Sequence, residues 1–243
     1  MGDNNPSATR LQVAPLDPKQ QQFIDSVLGE RPRLAVFDCD GTLWSGDSGA
    51  GFFYWELERG LLSPELSQWA SARYQEYLAG RVDEDTMCGE MVTIHEGLSC
   101  DLLAQLAEEF FSEQFKQNIF PEMLELVQRL HEEGCDLWAV SSTNDWVVTA
   151  GVRRFGISPE HVLAACVYSE TGVASGRLRR VPSGPGKATA IRETIGRPVD
   201  AAFGNSVFDQ DMLEIARHPY AINPSPELDR VAIDRGWRVY KPR

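Results

Sequence analysis

The chain has 243 residues and a formal charge of 23 − 36 = −13 at pH 7, with 42% apolar and 24% charged residues. Such an acid excess argues against a protein that grips nucleic acid or docks on an anionic membrane, since both tasks need clustered Lys and Arg. Any phosphate bound here must be met by a local positive device, because the overall field repels it.

In chain order, residues 1–17 are polar and Pro-containing, and are expected to form a loose tail. Phe23, Ile24, Val27 and Leu28 then recur at helical spacing, so residues 1–30 read as a tail and one short helix. No apolar run of secretory or membrane-spanning character occurs. The five cysteines are scattered without a CxxC pair, which suggests neither a disulfide framework nor a zinc site. A cytoplasmic setting is expected.

Leu34-Ala35-Val36-Phe37 is an unbroken apolar run, as in a parallel strand buried on both faces, and it stops at Asp38-Cys39-Asp40-Gly41-Thr42. Gly49 to Lys116 carries helical periodicity without a convincing strand: Leu66 to Leu78, Glu84 to Ile94 and Asp101 to Phe115. That is more chain than a crossover needs, so 49–116 is expected to be a helical cap. Beyond it, apolar strands over Asp136 to Val140 and Val199 to Phe203, with a weaker one from His161 to Tyr168, alternate with helices. The helices are expected over Pro121 to Glu133, Asp145 to Phe155, Lys187 to Ile195 and Phe208 to Arg217. This alternation predicts an α/β fold, a Rossmann-like doubly wound parallel sheet, built from 31–48 and 117–243. Ligands bind such sheets where the strands end, and the polar residues gather there.

Asp38 and Asp40 lie two apart at a strand end, so both carboxylates can face one point. They repel unless a cation lies between them or one is protonated. A calcium loop counted from Asp38 wants Gly at its sixth place and Glu at its twelfth, which are Leu43 and Gly49 here. A nucleotide P-loop ending at Gly186-Lys187 lacks its first Gly (Val181) and its hydroxyl (Ala188).

The Asp-x-Asp-Gly-Thr-Leu run resembles the first motif of the haloacid dehalogenase superfamily. Three further stretches resemble its other motifs in order: Val140-Ser141, Gly186-Lys187 at a helix start, and Gly204-Asn205-Ser206-Val207-Phe208-Asp209. The resemblance implies Asp38 as nucleophile, Asp40 as acid and base, and Ser141 and Lys187 as phosphate-binding residues. It also implies Mg²⁺ held by Asp38, Asp40, Asn205 and Asp209. Asn205 departs from the family's usual Asp, removing one formal charge from that set. Retention of Asp40 favours phosphate esters over halides, because an alkoxide leaving group needs a proton.

The cap between the first and second motifs is similar to the branch that contains phosphoserine phosphatase. That branch implies a substrate-binding acid nine residues after the nucleophile, here Asp47, and a cap arginine. Met87 to Val92 supplies no arginine, so phosphoserine is only one candidate. The aromatics Trp44 and Phe52 to Trp55 are expected to pack in the cap, with a wall for an alcohol, amine or partly apolar ester as the alternative; His95 is expected at the surface or in packing, and Cys39 in the core. The expected activity is Mg²⁺-dependent hydrolysis of a small phosphorylated metabolite through an aspartyl-phosphate. Phosphoryl transfer to another alcohol, or a weakly catalytic phosphate-binding role, are the alternatives.

Overall fold

A computed structural model of the chain describes residues 15–242. The tail expected over 1–17 therefore lies mostly outside the described residues. Helix α1 (Pro18–Leu28) is where periodicity placed it, capped by the Asp17 carboxylate and with Pro18 in its first turn.

Strand β1 (Leu34–Phe37) is the middle of a seven-stranded sheet of order β4-β3-β2-β1-β5-β6-β7. It pairs in parallel with β2 (Asp136–Asn144) on one side and β5 (Val199–Gly204) on the other. Strand β3 (Val162–Glu170) extends the sheet in parallel beyond β2, and β4 (Val173–Arg180) returns antiparallel along it. On the other flank lie β6 (Ala216–Ile222) and β7 (Arg238–Tyr240), both parallel. The expected doubly wound α/β sheet is thus found, with one antiparallel edge.

All four residues of β1 are buried, and they alternate between two cores as a period of two requires. Ala35 and Phe37 face the larger core with α1, α6 (Pro121–Glu132) and α7 (Asp145–Val152). Leu34 and Val36 face the smaller one with α8 (Pro185–Thr194), α9 (Gln210–Glu214) and α10 (Pro226–Arg235). Phe37 stacks on Phe203 at 4.4 Å, and Phe203 on Tyr220 at 4.8 Å, locking three adjacent strands together.

Three strands carry little apolar signal, of which β4 falls in a stretch, Gly172 to Lys187, that reads by resemblance as strand, loop and helix. The helix anticipated from Phe208 to Arg217 is cut to α9, and the chain enters β6 at Ala216. Strand β6 starts Ala-Arg-His-Pro and is buried only over Tyr220 to Ile222, so its first half carries no apolar signal. Strands β4 and β7 are largely exposed sheet edges, where polar residues are tolerated and hydrophobic patterning fades.

Between β1 and α6 the chain forms a layer of helices: α2 (Ser48–Glu58), α3 (Pro64–Leu78), α4 (Glu84–Thr93) and α5 (Cys100–Phe110). Phe53, Tyr74, Val82, Met87 and Ile94 give this layer a small core of its own. The helix expected over Asp101 to Phe115 changes to a π turn at Phe111–Phe115. The wider turn lets Phe110, Phe111 and Phe115 all be buried, with Phe111 set edge-on against Trp44 at 5.0 Å. Main-chain bonds from Gly97 to Ala174 and from Cys100 to Gly172, both 2.9 Å, tie the layer to the β3–β4 hairpin.

Candidate active site

The ends of β1, β2 and β5 and the start of α8 meet under the helical layer around a cavity of about 300 Å³. Asp38, Asp40, Asp47, Ser141, Lys187 and Asn205 all line it. Six of the seven site residues expected from the sequence are thus brought to one place. The seventh, Asp209, lies behind Lys187, fully buried.

Asp38 and Lys187 form the floor. Lys187 Nζ donates to Asp38 Oδ1 at 2.7 Å and to Asp209 Oδ1 at 2.5 Å, with 3% of the lysine side chain exposed. Burial works against the ammonium charge, but the two carboxylates more than offset it and hold the lysine pKa above its usual value. Burial, with the Asp209 charge behind it, pushes Asp38 up to about 7 despite the nearby lysine. Thr42 Oγ1 donates to the other oxygen, Oδ2, at 2.8 Å. Both Asp38 oxygens are therefore oriented, and the carboxylate sits where few waters compete.

Asp40 is held by three donors. Oδ1 accepts from Trp44 Nε1 and from the Ser48 amide, each at 2.7 Å, and Oδ2 accepts from Thr143 Oγ1 at 2.8 Å. Trp44 is itself wedged against α7, where Gly151 leaves the room: a Cβ there would stand 2.6 Å from Trp44 Cη2. The hold of Trp44 and Thr143 on Asp40 was not anticipated from the sequence. Trp44 reaches Asp40 from four residues on, within the loop that follows β1, whereas Thr143 reaches it only because β1 and β2 lie side by side.

Ser141 is buried, and its Oγ accepts from the Thr143 amide at 3.1 Å. Its own hydroxyl proton stays available to the cavity. Asn144 caps α7 by accepting from the Val147 amide at 2.9 Å, so helix capping does not consume Ser141.

Asn205 and Asp209 play unequal parts. The Asn205 side chain lies against the Asp40–Gly41 backbone, so close that a Cβ on Gly41 would come within 1.9 Å of its Nδ2. Gly41 has φ +75, a left-handed conformation that glycine adopts without strain. Asp209, expected as a metal ligand, has both oxygens engaged. Oδ1 accepts from Lys187, while Oδ2 accepts from the amides of Asn205 and Ser206 at 2.8 and 3.0 Å. In this arrangement it fixes the lysine and the loop that carries Asn205.

Asp47 stands at the N-terminus of α2, where its Oδ1 accepts from the Ala50 amide at 2.8 Å. It is open to water in the cleft yet crowded by protein on most sides. That crowding, with the charges of Asp40 and Glu84, pushes its pKa up to about 6. Glu84, also unanticipated, lines the same wall. It accepts from Ser142 Oγ at 3.2 Å and from the Tyr77 hydroxyl, bridging the helical layer to the end of β2. The first-turn position of Glu84 was legible, but an acid there also suits the helix dipole, which masks any other role.

His95 is buried rather than surface-exposed. Its Nε2 lies 2.9 Å from Glu56, with Phe52 and Trp146 against the ring. Cys39 is core, as expected, and burial raises its thiol pKa well above the usual range.

A family model described as haloacid dehalogenase-like hydrolase matches residues 35–214. The chain belongs to this family. A histidinol-phosphatase of Neisseria meningitidis is 26% identical over 217 residues, spanning 85% of this chain and 97% of the relative. Phosphoserine phosphatase SerB1 of Mycobacterium tuberculosis is 29% identical over 221 residues, 84% of this chain and 69% of that one. Among solved structures, a protein of unknown function from Bordetella pertussis Tohama I superposes with a TM-score of 0.76 at 25% identity, covering 86% of this chain and 97% of its own. The family and the phosphatase-type enzyme expected from the four motifs are borne out. No helix among the described residues is long and apolar enough to cross a membrane.

Proposed function

We propose that the protein is a Mg²⁺-dependent phosphomonoesterase that hydrolyses a small phosphorylated metabolite through an aspartyl-phosphate on Asp38. The observation that carries this reading is the convergence of Asp38, Asp40, Ser141 and Lys187 on one cavity, with Lys187 bonded to Asp38. In the first displacement Asp38 attacks phosphorus while Asp40 delivers a proton to the departing oxygen. In the second, Asp40 takes a proton from a water that attacks the acyl-phosphate, restoring Asp38. The Lys187 ammonium and the Ser141 hydroxyl hold the phosphoryl oxygens as charge shifts among them.

The oxygens present suit Mg²⁺, which binds hard donors and keeps several waters. Among the described residues, no group of three or more His, Cys, Asp or Glu forms a closed metal cage. The fitting set is more open: the Asp38 carboxylate, the Asp40 main-chain carbonyl and the Asn205 amide, which the bare Cα of Gly41 allows to approach. Bound there, the ion would supply Lewis-acid charge that shields the carboxylates from the incoming phosphate. Asp209 we assign to positioning, since its oxygens serve Lys187 and the Asn205 loop. The helical layer, residues 49–116, would then act as the cap that encloses the ester.

The test is phosphate release from a panel of monoesters, with Mg²⁺ and with EDTA, on wild type and Asp38→Asn. Release should require Mg²⁺ and fall at least about 10³-fold in the variant. Undiminished release by Asp38→Asn, or none from any ester with Mg²⁺, would sink the proposal.

A further inference from the structure

We propose that Glu84 receives a positively charged group on the substrate's leaving alcohol, an amine or similar cation, beside Asp47, the substrate-binding acid expected from the sequence, and that the same wall turns away esters bearing a carboxylate. This rests on the phosphatase reading above and adds the chemistry of the alcohol.

The floor of the cavity is made for phosphate, but the wall contributed by the helices is of the opposite character. Asp47, Tyr74, Tyr77, Glu84, Met87 and Cys88 form much of it. Lys187 is the one basic side chain among the lining residues, and Asp38 and Asp209 already engage it. A leaving group reaching the wall therefore meets carboxylates and no cation.

These carboxylates are not matched elsewhere. A third lining acid, Glu56, is paired with His95, whose other ring nitrogen lies 3.2 Å from the Val92 carbonyl. Glu56 is thus turned to a basic ring inside the protein. Glu84 instead meets neutral donors, the Tyr77 and Ser142 hydroxyls and the more distant Cys88 thiol at 3.8 Å. Asp47 meets the amide at Ala50. Each is held in position without being neutralised, which leaves a fixed negative site for a ligand cation.

The aromatic rings add to it. Phe53, Tyr74 and Tyr77 pack in series at 5.3 and 5.7 Å, and the faces of such rings attract cations. The stretch where a carboxylate-binding arginine is implied by the resemblance supplies Met87, Cys88 and Met91 to the wall. Its one charged member, Glu90, turns away to Arg73 at 2.7 Å. A carboxylate on the ester would face Asp47 and Glu84 with no compensating charge, a penalty that selects against it.

The test compares chain-matched esters that differ in the terminal group: aminoalkyl phosphates from aminoethyl to aminobutyl, the hydroxyalkyl equivalents, and carboxyalkyl equivalents. The best amine should exceed its hydroxyl match in kcat/KM by at least about tenfold, with the carboxylate lowest. Glu84→Gln and Asp47→Asn keep side-chain volume, and the latter keeps a helix-cap oxygen. Each should collapse the amine-to-hydroxyl ratio toward one. Equal or better use of hydroxyl or carboxyl esters by wild type would overturn the proposal, as would an unchanged ratio in both variants. Calorimetric binding of the same esters to Asp38→Asn reads the charge preference without turnover. If wild type with Mg²⁺ releases phosphate from none of these esters nor from p-nitrophenyl phosphate, the phosphatase reading fails, while this binding order still decides the cation site.

Discussion

Lys187 Nζ lies 2.7 Å from Asp38 Oδ1, joining residues 149 positions apart in a buried ion pair that Asp209 completes from behind. Removing one partner of such a pair leaves uncompensated buried charge, which costs more than the pair contributes. Lys187→Met should destabilise the fold by about 3 kcal/mol in urea denaturation. Phosphate release should fall at least about 10²-fold. Full activity in a stably folded variant would show that the lysine is structural alone.

The donors around Asp40 carry a second expectation. Thr143→Val removes the hydrogen bond to Oδ2 while keeping side-chain volume, so Asp40 loses part of its orientation. Proton delivery matters most for poor leaving groups. The kcat/KM for alkyl phosphates should drop about tenfold, with aryl phosphates affected less. Equal losses on both ester types would argue that Thr143 does not act through Asp40.

Gly41 tests the close approach at the first loop. In Gly41→Ala the new Cβ would meet Asn205 Nδ2 at 1.9 Å, and the residue would keep φ +75, which disfavours any side chain. The backbone strain alone costs about 1–2 kcal/mol. Displacement of Asn205 should raise the Mg²⁺ concentration for half-maximal activity. A variant with wild-type metal dependence would remove Asn205 from the proposed ligands.

Asn205→Asp restores a formal charge at the same position. It should lower the Mg²⁺ concentration for half-maximal activity, because a carboxylate binds the ion more strongly than an amide oxygen. An unchanged titration would place the side chain outside the ion's reach.

Stability should also depend on pH through Asp145, which does not line the cavity but opens α7 just beyond it. Its Oδ1 is buried without a partner, and burial pushes its pKa from 3.8 to about 6, against the pull of Arg180. The folded protein therefore binds this proton more readily than the unfolded chain. Asp145 favours folding at low pH, and that contribution is lost as pH rises from about 4 to about 6. The loss should be on the order of 1 kcal/mol once partial exposure is allowed for. Asp145→Asn should flatten this part of the denaturation profile; an identical slope would assign it to other groups.

The sequence by itself determined the sheet centre and the catalytic floor. Leu34–Phe37 is apolar on both faces, so it had to be an interior strand, and the polar residues that end it had to gather at one rim of the sheet. Asp38, Ser141 and Lys187 were legible because each occupies a fixed place relative to a strand end or helix start. Only the tertiary structure decided what surrounds them. Strand β6 hides behind a polar first half with a proline, and the role of Thr143 depends on strand pairing rather than on neighbours in sequence. Glu84 reaches Ser142 across 58 positions. The same acid, read locally, only suits a helix start. Periodicity and motif spacing report on contacts within a turn or a strand, whereas the charge of a cavity wall is the sum of side chains brought together by packing. The −13 charge argued at the outset against nucleic acid and anionic membranes as partners, but folding alone decided which of those acids face the leaving group.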